Sequence, residues 1–148
     1  MARGIVPEGI WILDEVRSQM LVPASVVLWI IRDDGERLVW VAVETNVQGQ
    51  ISIKSFDGAY GGEPAVVSGS GFVVSLSSPA PRTVYVEGEI PGMGAFHETD
   101  LISADGLQMV VNGEVNAGDG VKSWYEEFNF AGPIPREFRR AGAEQAAS

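Results

Sequence analysis

The chain has 148 residues and a mass of 15.8 kDa, the size of one domain and enough to bury a core without a metal or a disulfide. It contains no cysteine, which excludes disulfides, thiolate metal sites, iron–sulfur clusters and cysteine nucleophiles together. Against 10 basic side chains stand 20 acidic ones, a net charge of −10 and a pI near 4.4, a balance that argues against nucleic acid and anionic membrane as partners.

From the N-terminus, Arg3 is followed by no apolar stretch before Pro7 and Glu8 intervene, so no secretory signal is expected. The longest strongly apolar run, Val26-Val27-Leu28-Trp29-Ile30-Ile31, is far short of the roughly 20 residues of a membrane-spanning helix. A cytoplasmic protein is the expectation. Apolar residues at 12, 13, 16, 20 and 21 fit a helical stripe over Ile12 to Ala24 as well as a strand and loop.

Beyond that point β-branched and aromatic runs alternate with turn signals. The runs are 25–32, 37–47, 51–56, 71–76, 83–90, 95–103, 107–115 and 121–130. Asp33-Asp34-Gly35-Glu36, Gln48-Gly49, Asp57-Gly58, Gly61-Gly62, Gly69-Ser70-Gly71, Pro91-Gly92, Asp105-Gly106 and Asp119-Gly120 punctuate them. Strands about 8–14 residues apart with Asp-Gly and Pro-Gly turns predict an antiparallel sandwich or barrel. Several runs are apolar on both faces, such as Leu38 to Val43, and a barrel with part of its outer face covered suits that best. Asn112-Gly113 reads either as a hairpin turn or as an irregularity within one strand. Pro135 to Ala141 predicts a short C-terminal helix with proline in its first turn, carrying Arg136, Arg139 and Arg140 near its C-terminal end. The expectation is a single all-β domain over 1–148: an up-and-down barrel of about eight or nine strands, its core within about 9–130, with 131–148 a helix and tail.

Gly9-Ile10-Trp11-Ile12-Leu13-Asp14, ahead of a long series of strands, resembles the G-x-W opening of the lipocalin and calycin barrels. With Arg17-Ser18 added, and with Ser103-Ala104-Asp105-Gly106-Leu107-Gln108-Met109 near the end, the chain is similar to the small bacterial lipocalin-like barrels. The resemblance covers roughly residues 9–130. It implies a barrel enclosing a small ligand, and a basic residue packed over Trp11, for which Arg136, Arg139 and Arg140 are available. The Thr-Asp-Tyr motif of true lipocalins is not met, because Leu101 follows Thr99-Asp100.

Familiar catalytic signatures fail. His97-Glu98-Thr99-Asp100 lacks the second histidine of a zincin, no G-x-S-x-G elbow is present, and Gly58-Ala59-Tyr60-Gly61-Gly62 lacks the strand–loop–helix context of a phosphate loop. With one histidine and no cysteine, neither metal nor organic cofactor is expected. The aromatic side chains Trp29, Trp40, Phe96, Trp124 and Tyr85 either fill the barrel or line a ligand cavity. In Trp124-Tyr125-Glu126-Glu127-Phe128, Tyr125 and Glu127 share one face of a strand and Trp124, Glu126 and Phe128 the other, so one glutamate faces inward. Which one is open at this point. His97 shares a face with Ala95, Thr99 and Leu101, opposite Phe96 and Glu98. His97, Glu126, Glu127 and Tyr125 are thus the candidate acids and bases.

The expected function is binding of a small apolar, amphipathic or aromatic molecule in the barrel. A cofactor-free isomerisation, cyclisation, hydration or lyase step on it is the enzymatic version. Passive binding, or a filled barrel serving oligomerisation, are the alternatives. A homodimer is expected from the apolar outer faces.

Overall fold

Inward and outward residues alternate along most strands of the computed structural model, which describes residues 4–136. The strands are β1 (Gly9–Leu13), β2 (Ala24–Asp33), β3 (Arg37–Asn46), β4 (Ile51–Ala59), β5 (Ala65–Val66), β6 (Val73–Ser77), β7 (Thr83–Ile90), β8 (Gly94–Ile102), β9 (Gln108–Ala117) and β10 (Gly120–Gly132). All pairings are antiparallel, in the order β4-β3-β2-β1-β10-β9-β8-β7-β6-β5. The first and last strands meet in the middle of that order. The sheet then curls so that Ser55 of β4 and Ser68, just past β5, exchange both backbone hydrogen bonds, at 3.0 and 2.8 Å. The result is a nearly closed up-and-down barrel of ten strands. Closure removes most of the unpaired edges that an open sheet would expose.

Ten strands replace the eight or nine expected. The difference includes β5, whose two residues are too short to carry an alternation signal. Helical spacing over Ile12 to Ala24 also gave way: that segment holds the end of β1 and one 3-10 turn at Glu15–Arg17. Asp14 caps this turn by accepting from the Val16 and Arg17 amides, and the Ser18 hydroxyl donates to the Asp14 carbonyl. Asn112-Gly113 is no turn, since β9 runs through it with unbroken register against β10. The C-terminal helix expected from Pro135 falls, beyond Arg136, outside the described residues, as do Arg139 and Arg140. Among the described residues no helix is long and apolar enough to cross a membrane.

The two motifs behind the resemblance are structural. Trp11 is fully buried, its indole N–H donates to the Pro7 carbonyl at 3.1 Å, and its ring meets Phe130 edge-on with centroids 5.2 Å apart. Gly9 has φ +150°, and a Cβ there would lie 2.6 Å from the Phe130 ring, so glycine makes room for the ring that packs on Trp11. Of the basic residues expected over Trp11, Arg136 is exposed, and Arg139 and Arg140 lie outside the described residues. In the second motif, the Asp105 carboxylate accepts from the Ser103 hydroxyl and the Leu107 amide, closing the β8–β9 turn.

One end of the barrel is shut by the N-terminal segment. Asp33, buried at the end of β2, accepts from the Ile5 and Val6 amides and, at 2.6 Å, from the Tyr60 hydroxyl. This draws Val6, 2% exposed, under the barrel as a plug. Charge-assisted bonds of this kind are worth roughly 1.5–3 kcal/mol each, enough to hold an irregular segment in place.

Candidate functional site

The barrel interior is not packed solid. A cavity of about 240 Å³ runs from Val6 at the closed end to Met20, Leu21 and Val22 at the other. Val22 is 70% exposed and yet lines it, which marks the mouth. Aliphatic residues from β2, β3, β6, β7 and β9 form much of the wall.

Trp29, Trp40, Phe96 and Trp124 all line this space. Trp29 stacks on Phe128 with centroids 4.0 Å apart and meets Trp40 edge-on at 5.6 Å, and Phe96 lies 6.1 Å from Trp124. The rings therefore form two clusters on the wall, Trp29 with Trp40 and Phe128, and Phe96 with Trp124.

Polar groups gather beside Phe96 and Trp124. Alternation along β8 turns Phe96, Glu98 and Asp100 inward, and along β10 it turns Trp124, Glu126 and Phe128 inward. Strand register sets their neighbours. Glu98, Gly113 and Trp124 form one cross-strand row, and Asp100, Val111 and Glu126 form the next. The Trp124 indole N–H reaches Glu98 Oε1 at 2.9 Å. Glu98 and Asp100 are hydrogen-bonded to each other, and Asp100 Oδ1 is buried with no hydrogen-bond partner. Elsewhere on the wall Lys54 Nζ lies 3.4 Å from Glu44 Oε2 and 5.7 Å from the centre of the Phe72 ring.

Burial keeps protons on this cluster. Glu126 is pushed up to about 8, first by desolvation and then by the charges of Glu98 and Glu44, with Lys54 opposing. Glu98 is also raised by burial, against hydrogen bonds from Asp100 and Trp124 that pull it down. Asp100 is raised well above the usual carboxylate range by burial, by the charge of Glu98 and by their mutual hydrogen bond. Two carboxyls in contact do not both ionise readily, so the pair titrates as a unit.

Of the residues singled out in the sequence, Trp29, Trp40, Phe96, Trp124 and Glu126 meet in the cavity. The others lie outside it. His97 is exposed on the outer face, 4.0 Å from Glu114 and stacked on Tyr85 at 6.2 Å. Tyr125 and Glu127 are on the outer side of β10, where the phenol donates to Glu127 Oε1 at 2.6 Å. Glu127 also has Arg17 at 3.9 Å, and its amide donates to Ser18 Oγ, so it anchors the 3-10 turn. Strand alternation decides the matter: a residue adjacent to an inward one points out. Glu98, Asp100, Glu44 and Lys54 were not singled out. The available signal was the face shared by Phe96, Glu98 and Asp100, opposite His97. Among the described residues no three His, Asp or Glu side chains are arranged to hold a metal ion.

No family model matches the chain, and no curated protein matches it in sequence. Solved structures do. The zebrafish ileal bile acid-binding protein, crystallised with cholic acid, superposes with a TM-score of 0.57 at 12% identity, covering 84% of this chain and 98% of that one. The fold is a calycin-type barrel. At so low an identity the likeness bears on the fold alone, and the cavity of this calycin-type barrel has to be judged on its own lining.

Proposed function

We propose that this calycin-type barrel binds a small apolar or amphipathic molecule in its interior. The observation that carries the reading is the cavity itself: closed at one end, walled by aromatic and aliphatic side chains, with a few polar groups gathered at one place. Its size of about 240 Å³ suits a compact guest, since pockets for drug-sized ligands hold roughly 300–1,000 Å³. The solved relative contains cholic acid, and the Gly9-x-Trp11 opening resembles that of lipocalin-like barrels; both support the same reading. A filled barrel serving only oligomerisation is disfavoured by the unfilled interior. Native mass spectrometry of freshly purified protein tests for a retained guest, and titration with the neutral probe N-phenyl-1-naphthylamine tests for the site. Val86→Phe, which places a ring in the cavity, is expected to weaken probe binding; unchanged binding by a folded Val86→Phe variant overturns the reading.

One observation favours a second reading, proton transfer to or from the guest. Glu126 lies in an apolar cavity with its pKa raised to about 8, where a carboxyl can act as acid or base near neutrality. A cofactor-free isomerisation, cyclisation, hydration or elimination would rest on it. Exchange of deuterium from D2O into an enolisable guest, lost in Glu126→Gln, is the expected sign.

A homodimer belongs to the same proposal. Ile51, Ile53, Val66 and Val73 are exposed on the outer face around the β4–β5–β6 closure, and pairing would cover them. Light scattering that gives twice the mass of one chain supports this, and the mass of one chain excludes it.

A further inference from the structure

We infer that Asp100, flanked by Glu98 on its own strand and by Glu126 across β9, receives the ammonium end of a small organic amine whose apolar body fills the cavity. The inference rests on the cavity-binding reading above and names the class of its ligand.

The first support is an acceptor without a donor. Asp100 is 8% exposed, lines the cavity, and leaves Oδ1 buried with no hydrogen-bond partner. Buried polar atoms are nearly always satisfied in folded proteins, so an orphan beside an open space points to something that fills it. Carboxylate oxygens accept hydrogen bonds, and an ammonium offers three donors from one atom. A purely apolar guest would leave the oxygen stranded.

The second support is the charge balance of the lining. Four carboxyl groups, Glu44, Glu98, Asp100 and Glu126, face the cavity against one ammonium, that of Lys54. Lys54 is engaged with Glu44 at 3.4 Å. Tyr60, the titratable group toward the closed end, donates its hydroxyl to Asp33. Among the described residues of the lining, the one positive charge of Lys54, shared between Glu44 and at longer range Glu126, faces four carboxyls. An anionic guest would need Glu98, Asp100 and Glu126 to stay protonated and would still face Glu44. A cation lets one or more of them ionise.

Third, the walls suit a cation. Trp29, Trp40, Phe96 and Trp124 present aromatic surface beside the carboxyls, and ring faces attract ammonium groups within about 6 Å. Lys54 already sits over Phe72 in this way. A bare metal ion fits less well, because the space beside the carboxyls is walled by aromatic and aliphatic side chains and Glu98 Oε1 is taken by the Trp124 indole. The net charge of −10 would also draw cations toward the protein from solution.

Arrival of an ammonium displaces protons that burial holds on the cluster, so binding near neutral pH releases protons. Three probes on one skeleton separate the possibilities: 2-phenylethylamine, 2-phenylethanol and 3-phenylpropanoate, titrated into wild-type protein by calorimetry. The amine is expected to bind about tenfold or more tighter than the alcohol, with the carboxylate weakest. Its heat in phosphate and in Tris should differ by the ionisation of about one proton per amine bound. The Asp100→Asn/Glu126→Gln double variant should lose the preference, with amine and alcohol binding within about twofold of each other and no proton release on amine binding. Equal affinity for amine and alcohol, or tighter binding of the carboxylate, overturns the ligand class and leaves cavity binding standing. If none of the three binds and the naphthylamine probe also fails, the cavity reading falls with it. The wild-type comparison decides the question even if the double variant does not fold.

Discussion

The indole of Trp124 lies across Gly113 and donates its N–H to Glu98 at 2.9 Å, linking β10 to β8 over the strand between them. The link exists because Gly113 has no side chain: a Cβ there would lie 2.0 Å from the indole. A glycine in mid-strand ordinarily weakens a sheet, and here it gives an aromatic ring its seat. The seat in turn fixes one oxygen of the carboxyl cluster.

Gly113→Ala should therefore displace the indole and break its bond to Glu98, at a cost of about 1–3 kcal/mol from overpacking. Urea denaturation and tryptophan emission check this. A variant with the wild-type midpoint and emission maximum would show that the indole does not need the space.

Trp11→Ala should cost about 3–5 kcal/mol, as truncation of a buried large aromatic does. The indole is fully buried and bonded to Pro7, so the loss includes packing against Phe130 and the tie to the N-terminal segment. An unchanged denaturation midpoint would remove Trp11 from its role as the anchor of the closed end.

Stability of the ligand-free protein should fall as pH rises. Glu126 keeps its proton up to about pH 8 when folded, against an ordinary value of 4.5, so in that window the folded state binds more protons than the unfolded one. The resulting stability is complete below the unfolded value and is lost as pH rises through the folded one. Glu98 and Asp100 are shifted the same way. Asp34 and Asp105 are shifted down, and their effect lies on the acid side of 3.8, outside this window. Tm is expected to drop by about 5–10 °C between roughly pH 6 and pH 9. Glu126→Gln should flatten the slope, and a flat wild-type profile would contradict the assignment.

His97→Gln and Tyr85→Phe should leave probe affinity within about twofold of wild type, as substitutions on an outer surface do. Both side chains are outside the cavity and stacked on each other. A larger loss in fluorescence titration would move the site to the outer face.

The class of the fold was legible in the sequence because strand alternation and Asp-Gly turns are local signals. Each run from Ser25 onward corresponds to an observed strand, and the Asp33-to-Glu36 turn stands where expected. The two faces of β10 were also legible, since adjacent residues must point opposite ways. Which face was inside was not. Glu126 and Glu127 are neighbours of one residue type, and only the curl of the sheet, through the β1–β10 pairing and the Ser55–Ser68 closure, placed Glu126 within. The partnership of Glu98 with Trp124 lay equally beyond reach, because it depends on β8, β9 and β10 aligning so that Gly113 falls between them. Composition and periodicity act along the chain and determined that these residues form strands. The carboxyl cluster is a relation across strands, between residues 26 positions apart at the Trp124–Glu98 bond, and register alone brought it together.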